Sequence, residues 1–291
     1  MDAQQIVNAV ALGGVYSLFA VGFTLQFGIL HIFNVAHASL FMVAAVALLT
    51  FADIGMPAPL AIIAAVLSAG VVGVLIERVA VRPLRRAEAG ILPIFVATIA
   101  VAAVITFAVQ LTFGANVQYL DRDFFGNGEV SILGARATVV EVVTVAVSVV
   151  AYAALMIFVK RTRQGRAMRA VAENPPYAER VGVSSDGVYT LVFFVSSLLA
   201  GLAGVMSTLM FSNVYSQMHL PLELRGFAIV VLGGLGSVFG AAVGAFILAF
   251  AEVFAVVYGS SALREFVPFL ILFLVLAIRP RGLFGRTFRE I

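Results

Sequence analysis

Apolar runs separated by short polar breaks fill this chain from end to end. They fall at about 5–29, 35–52, 58–76, 91–113, 139–159, 188–210, 238–258 and 265–279, with a shorter run at about 223–235. Most are near the length a helix needs to cross a hydrocarbon core of roughly 30 Å. The alternating ten-residue segments of a membrane barrel do not occur. The pattern predicts an all-α integral membrane protein, a polytopic helical bundle whose backbone groups are paired within each helix. A single transmembrane domain, 1–291, accounts for the whole sequence.

Two intervals depart from plain spanning helices. The stretch 223–258 is too short for two full crossings and a loop at about 1.5 Å per residue. It reads as a half-helix over 223–232 that breaks at Gly233–Ser237 and returns as a full helix. Glycines suit such a break because they accept left-handed dihedrals, and a break at membrane depth needs protein or a water-filled cavity around it. The stretch 112–138 has turn chemistry at Gly126-Asn127-Gly128 and a strand-like VSIL run. It predicts a small hairpin or short helix over the outer mouth.

Composition strengthens the membrane reading. Of 291 residues, 62% are hydrophobic and 11% charged, against roughly a quarter charged in a soluble domain. There is no cysteine, which excludes disulfides and thiolate metal sites. The formal net charge of +3 suits nucleic acid only if position is ignored. Fourteen of the eighteen Lys and Arg residues fall in three regions. These hold Arg78, Arg82, Arg85 and Arg86; then Lys160, Arg161, Arg163, Arg166, Arg169 and Arg180; then Arg279, Arg281, Arg286 and Arg289. Arg122, Arg136, Arg225 and Arg264 fall on the alternate side. The positive-inside rule makes the three basic regions cytoplasmic, with the N-terminus outside and the C-terminus inside. The first basic residue is Arg78, so the start lacks the basic region of a cleavable signal peptide.

The polar island 160–187 predicts more than a connector. Residues 164–173 form a helix with Ala167, Met168 and Val171 on one face and Arg166 and Arg169 beside it. Asn174 before Pro175 reads as a cap with proline at the first helical position, and Gly182 as the stop. Two short helices therefore meet at Asn174. The island either is a solvated loop that sets topology or is held by a cytoplasmic partner.

Polar residues inside membrane segments are costly. Asn34 and His37 lie at the break between the first two runs, where they either cap the second helix or face a pathway. Asn8, Gln26, Thr98 and Gln110 read as helix–helix hydrogen bonds. Glu252, near the outer side, snorkels, pairs with Arg264 or lines an outer vestibule. Gly70, Gly73, Gly201 and Gly204 suit close helix packing. No P-loop, no HExxH and no catalytic constellation is present, and three histidines without cysteine make a metal site improbable.

Five stretches together resemble permease subunits of branched-chain amino-acid ABC importers, the LivH type. They are LGGVYSLFAVGFTLQFGILHIFNVAHASLFMVAA (12–45), ERVAVRPLR (77–85), GRAMRAVAENPPYAERVGV (165–183), LRGFAIVVLGGLGSVFGAAVGAF (224–246) and RPRGLFG (279–285). Ala38 stands where the family usually has glycine. The resemblance implies a type II importer permease in the bacterial inner membrane, with broken or re-entrant helices. It implies a second homologous permease, forming a heterodimer, two cytoplasmic ATPase subunits that alone bind ATP and Mg, and a periplasmic substrate-binding protein. It maps Arg166, Arg169, Glu173, Asn174, Pro175, Ala178 and Gly182 onto the ATPase-coupling element. It sets Asn34 and His37 opposite Gly233, Gly234 and Gly236 along a substrate pathway for a small zwitterion, at the permease–permease interface. Branched-chain or related amino acids are the expected cargo, with urea, amides or aromatic acids as alternatives. A proton- or sodium-coupled transporter is the other reading, but that class shows intramembrane carboxylates and here Glu252 is the only clear one.

Overall fold

The apolar runs form helices whose ends fall close to the expected ones. The computed structural model describes residues 2–121, 124–126, 128–132 and 134–285. Arg122, Asn127, Arg286 and Arg289 lie outside the described residues. The helices are α1 (Ala3–Leu30), α2 (Ala36–Asp53), α3 (Ala58–Ile76), α4 (Arg82–Arg86), α5 (Ile91–Phe113), α6 (Val139–Arg161), α7 (Arg163–Glu173), α8 (Pro175–Arg180), α9 (Ser185–Phe211), α10 (Leu220–Gly233), α11 (Val238–Tyr258) and α12 (Leu263–Ile278). Among the described residues, seven helices are long and apolar enough to cross a membrane; α3 counts as one of them together with its extension to Arg86.

That extension carries the helix past the apolar run at 58–76, through a basic region that reads as a loop in the sequence. The segment ERVAVRPLR is helical rather than a loop: a π-turn over Glu77–Val81 joins α3 to α4. The Arg82 N–H donates to the Glu77 carbonyl in this wider register. A π-turn takes up the misfit that Pro83, with its ring and missing N–H, would otherwise bring to an α-helix.

α1 is the central post, buried along most of its length against α11, α9 and α6. α9 also packs on α2 and α3. The packing is close because small residues face each other. A Cβ on Gly201 would stand 2.7 Å from the Ala69 Cβ, and one on Gly204 would collide with the Phe41 carbonyl. Such small-residue contacts are what bring helices together where lipid offers no hydrophobic contrast. α5 is the opposite case. Only Ile94, Thr98 and Ala102 of it are buried, so most of its surface is left for lipid or another chain.

Two ends of the bundle differ in charge. At one end lie the π-turn and α4, the end of α6, α7, α8, the start of α9 and residues 279–285; this is the basic end. At the far end a hairpin of β2 (Glu129–Ile132) and β3 (Ala135–Thr138) leads into α6. It is braced on α1, where the Gln4 side chain donates to the Arg136 carbonyl at 2.8 Å and accepts from its N–H at 2.9 Å. The hairpin turns at Gly134, with φ +83°, and Gly126, also at positive φ (+92°), lies ahead of it. A second pairing joins β1 (Gln118–Tyr119) to β4 (Asn213–Val214) and ties the loop after α5 to the loop after α9.

Candidate functional site

The basic end presents two short helices of unlike character. α6 ends at Arg161, and the Thr162 hydroxyl caps α7 by accepting from the Gly165 N–H at 2.9 Å. α7 is amphipathic and spends its apolar face on its own chain: Met168 and Val171 are sealed against α1, α6 and α9. The Arg169 guanidinium turns back to donate to the Val159 carbonyl at the end of α6, which accepts a cation favourably. Asn174 then caps α8 as its sequence suggested, accepting from the Tyr177 N–H at 3.2 Å.

α8 is anchored differently. Ala178 is 3% exposed and its carbonyl accepts from the Val183 N–H at 3.0 Å. Tyr177 and Val181, four residues apart, are 65% and 77% exposed. Of the expected coupling residues, Arg166, Arg169, Glu173, Asn174, Pro175 and Gly182 are exposed, whereas Ala178 faces inward and Arg169 is spent on α6. Tyr177 and Val181 fall within the expected stretch Asn174 to Gly182, and their spacing puts one above the other on the helix.

Next to α8, α9 starts under an ionic strap. Glu77, fully buried, accepts from Arg82 through both carboxylate oxygens at 3.1 and 2.9 Å, and from the Thr190 hydroxyl at 3.1 Å. Asp186 accepts from Arg85 and Arg86. The Arg85 guanidinium also lies 4.0 Å over the Tyr189 ring. The strap holds the π-turn and α4 to the helix that α8 leads into.

The two backbone breaks meet one another. A Cβ on Gly28, near the end of α1, would stand 3.1 Å from Gly236. Phe33, in the link to α2, packs 6.0 Å from Phe227 of α10. The α10–α11 break is covered by the chain's own tail: the Leu283 and Phe284 N–H groups donate to the Leu232 and Gly233 carbonyls at 2.8 and 3.1 Å. Gly234, at φ +100°, has no room for a side chain because Gly285 and Gly282 abut it. Gly233 packs on the backbone of Gly240. The break lies at the basic end against residues 282–285, and Gly233 and Gly234 are buried there among the described residues. A valine at 234 would displace the tail rather than fill a passage.

Asn34 and His37 are inside the bundle, 1% and 0% exposed. Asn34 does not cap α2 with its side chain; its backbone carbonyl accepts from the His37 N–H at 3.1 Å. Neither the amide oxygen nor the amide nitrogen of Asn34 has a partner among the described residues. His37 Nε2 is 3.4 Å from the Phe19 carbonyl, with the ring between Phe19 and Phe23. Close by, Gln26 of α1 donates to the Ser196 hydroxyl of α9 at 2.5 Å. The Thr98 hydroxyl accepts from the Val35 N–H at 3.2 Å, while Asn8 accepts from Gln4 within its own helix.

The strongest polar constellation was not foreseen. Glu252, fully buried, accepts from Arg225 Nε at 2.7 Å, from the Tyr16 hydroxyl at 2.8 Å and from Arg264 Nε at 3.4 Å. Arg225 also donates to Glu265 at 3.0 Å. Glu252 does pair with Arg264, one of its expected roles. Tyr16 lies fourteen residues before Leu30, about 21 Å along α1 from the basic end. The network therefore sits well inside a bilayer, in the half toward the far end, and lines a cavity of about 270 Å³. A larger groove of about 470 Å³ between α1 and α6 is almost wholly apolar and holds no such group besides Glu141.

Residues 5–276 match the family described as branched-chain amino acid transport system, permease component. The chain belongs to this family. The permease is 32% identical over 295 residues to the high-affinity branched-chain amino acid transport system permease protein LivH of Escherichia coli (strain K12), covering 97% of this chain and 95% of that one. BraD of Pseudomonas aeruginosa, with the same description, is 31% identical over the same shares. The autoinducer 2 import system permease protein LsrC of Photorhabdus laumondii is 34% identical over 94 residues, 30% of this chain and 28% of that one. These relatives are transport permeases, not enzymes. No solved structure matches the permease.

Proposed function

We propose that this permease carries branched-chain or related small amino acids inward as the membrane subunit of an ABC importer. ATP and Mg are bound by two separate cytoplasmic ATPase subunits, and a periplasmic binding protein delivers the cargo. A second homologous permease completes the membrane unit as a heterodimer, with the lightly packed α5 available for contact. The basic end faces the cytoplasm, which puts the N-terminus outside and the C-terminus inside. The end of α1 at Gly28 touches Gly236 at that end, and the two breaks, Asn34–His37 and Gly233–Gly236, border the inner closure of the pathway.

One observation supports this reading above the others. α8 projects the exposed pair Tyr177 and Val181 from the basic end while Ala178 and the Asp186 strap fix it to α9. An ATPase surface that grips α8 therefore moves α9 rather than bending a loop. Arg166, Glu173, Asn174, Pro175 and Gly182 border that contact.

The test is co-purification. The permease should bring down the ATPase chains and a second permease. Tyr177→Ala with Val181→Asp should leave the amount in the membrane unchanged. The double change should lower ATPase recovery more than about tenfold, since losing a central aromatic anchor costs roughly 2 kcal/mol or more. Undiminished ATPase recovery with that variant would remove α8 from the contact. Orientation is tested by Ser184→Cys in this cysteine-free chain, which should resist impermeant thiol reagents on intact cells.

A further inference from the structure

We propose that the cavity lined by Arg225, Arg264 and Glu265 is a transit subsite that holds the charged head of an aliphatic α-amino acid. This rests on the amino-acid reading of the permease and adds to it a place and a means of recognition.

The donors are there and unspent. Arg225 has five N–H groups. Nε goes to Glu252 and one from Nη2 to Glu265, no partner is found for Nη1 among the described residues, and Arg225 lines the cavity. Arg264, with its side chain 40% exposed, gives Nε alone to Glu252 among the described residues. Two guanidinium edges thus converge where a carboxylate can be held by paired charge-assisted hydrogen bonds. Glu265, 67% exposed, can turn from Arg225 toward an ammonium. Phe41, Met218 and Leu222 face the same space and offer an apolar side for an aliphatic tail, beside the polar Ser207 and Asn213. A volume of about 270 Å³ lies below the range of drug-sized pockets, roughly 300–1,000 Å³, and suits a smaller solute.

Charge balance favours a zwitterion over an ion. Arg225 and Arg264 offset Glu252 and Glu265, so the cluster is formally neutral. A solute of zero net charge can exchange partners with it and leave no unpaired charge behind. A bare cation or anion would leave one in a medium where that is costly.

Thiol protection tests the subsite without relying on transport. Ser207 lines the cavity and is half-buried, and the chain has no cysteine. Ser207→Cys in the assembled importer, without binding protein, should react with a small thiol reagent. L-leucine at ten times its dissociation constant should slow that reaction roughly tenfold. Leucinol, which lacks the carboxylate, and 4-methylpentanoate, which lacks the amine, should not slow it. Adding Arg264→Gln or Glu265→Gln should abolish protection while the cysteine still reacts; both changes are at exposed side chains and spare the Arg225–Glu252 pair. Unchanged labelling with L-leucine, in an importer whose unsubstituted form takes up leucine, overturns the subsite and leaves the transport reading standing. Equal protection by leucinol, or protection that survives both added changes, overturns the head-group assignment. No leucine uptake by the unsubstituted importer overturns the amino-acid reading itself.

Discussion

Two buried glutamates, each 0% exposed, carry opposite lessons. Glu77 at the basic end is closed in on its own helix: Arg82, five residues on, binds both its oxygens, and Thr190 of α9 completes the set. Arg82 is 23% exposed and reaches water from there. Glu252 draws its partners from α1, α10 and α12, and its chief partner Arg225 is only 9% exposed. The first cluster fastens two helices. The second is spread over three besides its own and leaves donors facing a cavity. A buried ion pair is weak evidence for stability in itself, because desolvation offsets the attraction. A cluster that fastens can be judged by stability alone, and one that faces a cavity must be judged by what it can exchange with.

The largest expected effect comes from orphaning Glu252. Arg225→Leu leaves its carboxylate with Tyr16 and the longer Arg264 contact, and breaking a buried pair on one side costs about 3–5 kcal/mol. Thermal unfolding of the purified permease should show a clear drop. The double change Arg225→Leu and Glu252→Leu should recover most of that loss, because no uncompensated charge remains, yet transport should stay low. If the double change restored transport as well, the network would be a fastener like Glu77.

Glu77→Leu should act more mildly on stability. Arg82 is left without its partner but turns to water, so the expected loss is about 1–3 kcal/mol. The Asp186 strap stays in place. The informative readout is the ratio of substrate-stimulated to basal ATPase activity in the assembled importer, which should fall because one of the two ionic ties between the α3–α4 rod and α9 is lost. A stability loss as large as that of Arg225→Leu would erase the contrast between the two sites.

Much of this fold was legible because its signals are local. The run at 58–76 matches α3 residue for residue, and the Asn174-Pro175 cap and the inward Met168 and Val171 follow from spacing along one short helix. The depth of the α10–α11 break was not legible. It depends on the tail at 282–285 folding back some fifty residues later in sequence. The helical reading of ERVAVRPLR was hidden by Pro83, since only a π-turn makes that proline compatible with a continuous helix. The partner strand of the VSIL run was not legible, because Gly134 alone carries little turn signal and it is pairing with Ala135–Thr138 that sets the register. For the candidate site, Arg225 and Arg264 were visible as far-side charges, but nothing in the sequence joins Tyr16 to Glu252 across 236 positions.

Asn34 marks the small end of the scale and separates folding from transport most sharply. Its amide is 1% exposed and has no partner on either atom among the described residues. An unpaired buried polar group costs roughly 1–3 kcal/mol, so the residue works against the fold. Asn34→Leu removes that cost at similar size, and the change in stability should be near zero or favourable by up to about 1 kcal/mol. If Asn34 belongs to the inner closure, transport by the assembled importer should nonetheless slow, with ATPase recovery unchanged, because the parted closure loses a group that can hydrogen-bond the solute. The measurement pairs thermal unfolding with uptake rate on the same preparation. A variant that loses stability would mean that Asn34 is held by bonds the folded chain needs. A variant that gains stability and transports at the full rate would take Asn34 out of the pathway and leave only the glycine contacts at the closure.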